Sequence, residues 1–90
     1  MRVDKYLKVS RLIKRRTVAK EACDLGRIQV NGRVVKAGYE LKIGDRLQIE
    51  LGTRRVQVEI VDIQEHVLRQ EARDLYKVLE DVGESAEIEL

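Results

Sequence analysis

Ninety residues with a hydrophobic content of 43% suffice for one modest core and leave no length for a catalytic domain beside it. Phe and Trp are absent, so Val, Ile, Leu and Ala must build that core, with the three tyrosines at its margins. The formal net charge of +2 hides a separation of sign, because residues 1–20 carry eight Lys or Arg against the single acid Asp4 while residues 59–90 carry three bases against ten acids.

Asp4 can cap a first helix running from Lys5 to about Leu12, with Val3, Tyr6, Leu7 and Leu12 or Ile13 on its apolar side. A second helix is expected from Arg16 to about Leu25, where Val18, Ala19, Ala22, Cys23 and Leu25 recur at three-to-four spacing; Gly26 supplies the stop. The period then changes to alternation. Ile28 and Val30 lead into Asn31-Gly32, whose tolerance of positive φ predicts a tight hairpin turn before Val34. Beyond a loop through Ala37 and Gly38 come Leu41 and Ile43. Gly44-Asp45 marks a turn, and Leu47, Ile49 and Leu51 alternate with polar residues as a half-buried strand. Gly52 breaks that strand, and Val56, Val58 and Ile60 resume the alternation, so a small antiparallel sheet is expected. Leu68, Ala72, Leu75, Tyr76, Leu79 and Val82 trace a one-sided stripe that predicts a third helix over residues 65–83, ended by Gly83, and an acidic, flexible tail over 84–90.

The eight bases are Arg2, Lys5, Lys8, Arg11, Lys14, Arg15, Arg16 and Lys20. Those at 2, 5, 8 and 11 drift around a helix by about 60° per step and cover a broad face. Lys14, Arg15 and Arg16 lie between the helices, where arginines can grip phosphate through two hydrogen bonds at once. Segregated charge of this kind predicts one surface for a polyanion and an acidic surface that avoids it. If about six of these bases neutralise phosphates, the log-log dependence of affinity on salt has a slope of roughly −4 to −5. Phosphate contacts read little sequence, and with only Tyr6, Tyr39 and Tyr76 available for stacking, folded RNA recognised by shape is the favoured ligand. Asp4, the lone acid of the patch, is expected to cap the helix and to orient neighbouring bases.

Cys23 is the sole cysteine and sits on the apolar stripe, so it reads as a core residue; an internal disulfide is impossible and a zinc site would lack thiolate partners. His66 has no second His or Cys near it in sequence. No Ser-His-Asp set, carboxylate pair or phosphate-cradling glycine loop stands out, so neither an enzyme nor a cofactor is expected. No signal-peptide pattern and no run of roughly 20 apolar residues appears, which predicts a cytoplasmic protein without membrane contact. Two short helices joined by a tight turn also suit a helix-turn-helix DNA-binding regulator, which stays open as an alternative.

Specific stretches carry a resemblance. Arg2-Val3-Asp4-Lys5-Tyr6-Leu7, Arg16-Thr17-Val18-Ala19-Lys20, Gly26-Arg27-Ile28-Gln29-Val30-Asn31-Gly32 and Ile43-Gly44-Asp45 are similar to the S-four RNA-binding domain, or alpha-L motif, found in a small-subunit ribosomal protein, pseudouridine synthases and tyrosyl-tRNA synthetases. The phrase from Leu7 to Thr17 resembles short stand-alone members, namely the ribosome-associated small heat-shock proteins and the RqcP family of ribosome-associated quality control. The resemblance implies an α+β fold in which two short N-terminal helices pack on a small antiparallel sheet. Residues 1–64 would form the RNA-binding domain with a sheet extension, and the 65–83 helix would pack on it. It further implies a monomer bound to the large ribosomal subunit that carries obstructed peptidyl-tRNA. Its ligands there would be large-subunit ribosomal RNA and tRNA, with the RqcH factor as functional partner in alanine tailing of the stalled chain; subunit recycling is the alternative. By matching position, Arg2, Lys5, Arg15 and Arg16 would touch RNA, with Asp4 in the same cluster. Arg15 replaces the small polar residue often found before the second helix, which weakens the cap and adds a phosphate donor.

Overall fold

The computed structural model describes residues 1–83, and its elements run α1 (Val3–Val9), α2 (Arg16–Asp24), β1 (Ile28–Val30), β2 (Arg33–Val34), β3 (Arg46–Leu51), β4 (Arg54–Ile60), a 3₁₀ helix (Arg69–Leu75) and β5 (Tyr76–Val82). The five strands form one antiparallel sheet in the order β2-β1-β3-β4-β5. The α+β architecture of two short helices on a small sheet is therefore present.

The sheet owes its register to period-two alternation. Ile28 pairs with Ile49, Val30 with Leu47, Leu47 with Val58 and Ile49 with Val56, so every buried residue of β1, β3 and β4 lies on one face. Gln29, Gln48, Glu50, Gln57 and Glu59 project from the other and are only half-buried. The hairpin turn is as the Asn-Gly pair demands: Asn31 has φ 52° and Gly32 φ 84°. Asn31 also ties that turn to β3, accepting from the Arg46 amide at 3.0 Å and donating to Asp45 at 3.1 Å. Side chains from α1, α2 and the intervening turn, among them Val3, Tyr6, Leu7, Ile13, Ala19, Ala22 and Cys23, complete a single core against the apolar sheet face.

Four expectations need correcting. The first helix is not capped by Asp4. It starts at Val3, and the amides of Val3 and Asp4 are satisfied by the carbonyls of Tyr39 (2.8 Å) and Ala37 (3.3 Å) from the loop before β3, which leaves the Asp4 carboxylate free for other donors. The helix also ends early. Ser10 closes it and Arg11 turns left-handed at φ 61°, letting the Ile13 amide reach back to the Leu7 carbonyl at 3.0 Å, so Leu12 and Ile13 enter the core from a turn.

The tyrosines are not all marginal. Tyr6 is fully buried, and its hydroxyl donates to the Leu75 carbonyl at 2.7 Å.

The third helix is replaced by a single 3₁₀ segment and a strand. Of the predicted stripe only Ala72 and Leu75 are buried, while Leu68, Leu79 and Val82 are exposed. The residues from Tyr76 instead supply backbone partners to the edge of β4, a pairing that Tyr76, Val78 and Val82 favour as β-branched or aromatic residues. Gln57 pairs with Glu80 but Val58 with Val78, so Leu79 is the extra residue of a bulge that interrupts the alternation and disguises the strand in sequence. Tyr76–Val82 thus extends the sheet, while the 3₁₀ helix before it buries Ala72 and Leu75. The expected tail at 84–90 falls outside the described residues.

The Leu75 carbonyl also accepts from the amides of Val61 (2.9 Å) and Asp62 (3.1 Å), so it keeps partners if the phenol is lost. Tyr6→Phe is therefore expected to cost about 1 kcal/mol, a fall in Tm of roughly 4–8 °C for a domain of this size. A thermal melt with unchanged Tm would show that the hydroxyl contributes nothing.

Candidate nucleic-acid interface

The Asp4 carboxylate organises the start of α1. It is 3% exposed, yet it receives Arg2 Nε on Oδ1 and Arg2 Nη2 on Oδ2, both at 3.2 Å, the Lys5 amide at 2.8 Å, and Arg16 Nη2 at 3.4 Å. Arg16 Nε lies 3.4 Å from Oδ2. Burial by itself would raise the pKa of this carboxyl, but the Arg16, Lys5-amide and Arg2 hydrogen bonds and the Arg16 charge outweigh it and hold the group below its ordinary value. Arg2 from the entry to α1 and Arg16 from the first position of α2 are thereby fixed on one anion while each side chain stays about half exposed, at 49% and 47%. Both guanidiniums keep donors facing water, an arrangement that can hold phosphate.

The remaining bases divide. Lys8, Arg15 and Lys20 are exposed on or beside the helices. Lys5 is half-buried and paired with Glu65 from the segment after β4, so the basic face contains an acid that the distant sequence position concealed. Arg11 and Lys14, at the turn between the helices, line a groove together with Arg54, Arg69 and Arg73. The last three were not among the expected site residues. Arg69 and Arg73 belong to a segment that is acidic in total, and the 3₁₀ helix before β5 brings them to one groove with the helix turn. Two bases of the acidic half therefore stand beside two of the N-terminal ones.

Cys23 is buried, and burial first, then the charges of Asp4 and Asp24, pushes its thiol up to about 11, as fits a core residue. His66 is exposed. Among the described residues no group of three or more His, Cys, Asp or Glu could hold a metal, and no helix is long and apolar enough to cross a membrane.

A family model described as the S4 domain matches residues 1–47, which hold both helices, the Asp4 cluster and the first hairpin. The chain is 59% identical over 78 residues to the RQC P-site tRNA stabilizing factor of Halalkalibacterium halodurans, covering 87% of this chain and 89% of that one. The factor of the same name from Bacillus subtilis is 46% identical over 81 residues, covering 90% and 94%. The chain belongs to this family of S4-domain factors. Among solved structures it is similar to heat shock protein 15 of Vibrio cholerae, a trimer in that structure, with a TM-score of 0.81 and 26% identity over 87% of this chain and 80% of that one.

Because the folded pKa of Asp4 is depressed, its ion pairs stabilise the protein above the unfolded value of 3.8 and are lost as pH falls below it toward the folded value. Asp4→Asn should lower stability near neutral pH by on the order of 1–3 kcal/mol. The gap to wild type should close below pH 3.8. Thermal melts across that range check this; a gap that does not change with pH would contradict the linkage.

Proposed function

We propose that this protein stabilises tRNA in the P site of an obstructed large ribosomal subunit during ribosome-associated quality control. A single copy would contact ribosomal RNA and tRNA through Arg2, Lys5, Lys8, Arg11, Lys14, Arg15, Arg16 and Lys20, and would work beside the RqcH factor in alanine tailing of the stalled chain. The relatives' shared name supports the tRNA role. The observation that carries the RNA contact is the Asp4 carboxylate holding two half-exposed arginines from two helices in one place.

The physics suits that task. A phosphate that docks between Arg2 and Arg16 meets donors already ordered, so little side-chain entropy is lost on binding. A buried carboxylate shares the guanidinium charge, which moderates the attraction and leaves orientation as its main contribution. Contacts of this sort recognise where two phosphates lie in space, as a folded tRNA or ribosomal helix presents them, and not which bases lie between them. The proposed role ends in a complex and calls for no covalent change.

Arg16→Glu puts a second carboxylate beside Asp4 and removes the donor. Co-sedimentation with large subunits carrying peptidyl-tRNA is expected to fall at least tenfold, and undiminished binding would overturn the assignment. Arg16→Ala should weaken binding to all folded RNAs alike and reduce the salt slope by about one. Competition between folded RNA and duplex DNA addresses the helix-turn-helix alternative, with RNA expected to win.

A further inference from the structure

The apolar face of the sheet is longer than the helices that cover it. Val78 pairs with Val58 and Tyr76 with Ile60, so both lie on the core face, yet Val78 is 53% exposed because α1 and α2 end short of β5. What remains uncovered is a groove of ≈ 770 Å³, within the size range of small-molecule sites. Its floor is apolar, formed by Leu12, Val56, Ala72, Tyr76 and Val78. Its rim is cationic: Arg11 and Lys14 come from the helix turn, Arg54 from β4, and Arg69 and Arg73 from the 3₁₀ helix. Among the described residues the acid that lines it is Asp81, which Arg54 holds in a two-point pair at 3.0 and 2.8 Å.

We infer that this groove binds a single-stranded RNA segment, with phosphates on the arginine rim and an unstacked base on the apolar floor. The inference rests on the reading of the chain as an RNA-binding protein and adds a second site to the Arg2–Asp4–Arg16 cluster. Charge complementarity selects a polyanion. The apolar floor then selects among polyanions, since a duplex turns only sugars and phosphates outward, whereas an unpaired nucleotide offers a flat apolar surface that gains by leaving water. Tyr76 places an aromatic ring in that floor. Arg11, whose left-handed backbone at φ 61° ends α1, lines the rim from the helix turn.

Arg2, Lys5, Lys8, Arg15, Arg16 and Lys20 do not line the groove, and Arg11 and Lys14 do. A folded RNA held at the helix pair could therefore pass an unpaired end or loop around the turn into the groove.

The test uses the full chain and two RNAs, a hairpin and the same hairpin with a short unpaired extension, with affinities from fluorescence anisotropy. Wild type is expected to bind the extended RNA about tenfold more tightly, a gain in the range of one stacked base. Arg69→Ala/Arg73→Ala, both at exposed positions, should abolish that gain and leave hairpin affinity within about twofold, allowing for the two charges removed. Arg33→Ala/Lys36→Ala, which removes equal charge from an exposed region outside the groove, should keep the gain. The inference is overturned if wild type shows no gain, if the groove variant retains it, or if polyglutamate displaces the extended RNA as readily as a single-stranded RNA does, which would mark an acidic protein segment as the occupant. Failure of the helix-pair reading is separate: it would appear as hairpin binding that Arg16→Glu leaves intact, whatever the extension does.

Discussion

A buried carboxylate at the second residue of the first helix is the constraint around which the N-terminal half is arranged. Asp4 lies out of water with four hydrogen bonds from three residues, so removing any partner leaves charge that the remaining ones must carry. Its satisfaction fixes Arg2 against the start of α1 and Arg16 at the start of α2, which sets how the two helices meet. That this carboxylate can do so depends on a neighbouring loop. Because Ala37 and Tyr39 give their carbonyls to the first two amides of α1, the side chain takes only the third, that of Lys5, and keeps its other lone pairs for the two arginines. Local backbone bonding and surface electrostatics are therefore one construction.

Much of the fold was legible in the sequence because its strongest signals are short-range. Alternation in Leu47-Ile49-Leu51 and Val56-Val58-Ile60 reports a one-sided sheet, and Asn31-Gly32 reports its hairpin, since each depends on a period or a φ preference internal to the segment. The C-terminal third misleads for a physical reason. Its helical spacing is real enough to bury Ala72 and Leu75 in a 3₁₀ turn, but the open edge of β4 outweighs propensity beyond Leu75, and the bulge at Leu79 erases the two-residue period that would have announced a strand. Tyr6 was placed too near the surface because its hydroxyl partner, the Leu75 carbonyl, is 69 residues away.

The candidate site divides along the same line. Clustering of bases within residues 1–20 is a sequence property and could be read directly. Their pairing could not, since Lys5 meets Glu65 and Arg2 and Arg16 share Asp4 only through tertiary approach. Charge totals by segment hide more than they reveal here: a strand return places Arg69 and Arg73, from an acidic stretch, across from Arg11 and Lys14. The surface that matters is defined by topology, and the turn between the helices stands between two electropositive regions.

The two borders of the sheet have a further bearing on how this small protein survives. One border is β2, only two residues long; the other is β5, distorted by its bulge and carrying Lys77, Glu80 and Asp81. Neither gives an incoming strand a flat run of unpaired amides and carbonyls to follow. The sheet is thus a poor template for amyloid-like stacking, although Val34, Val78, Leu79 and Val82 lie exposed along its two borders.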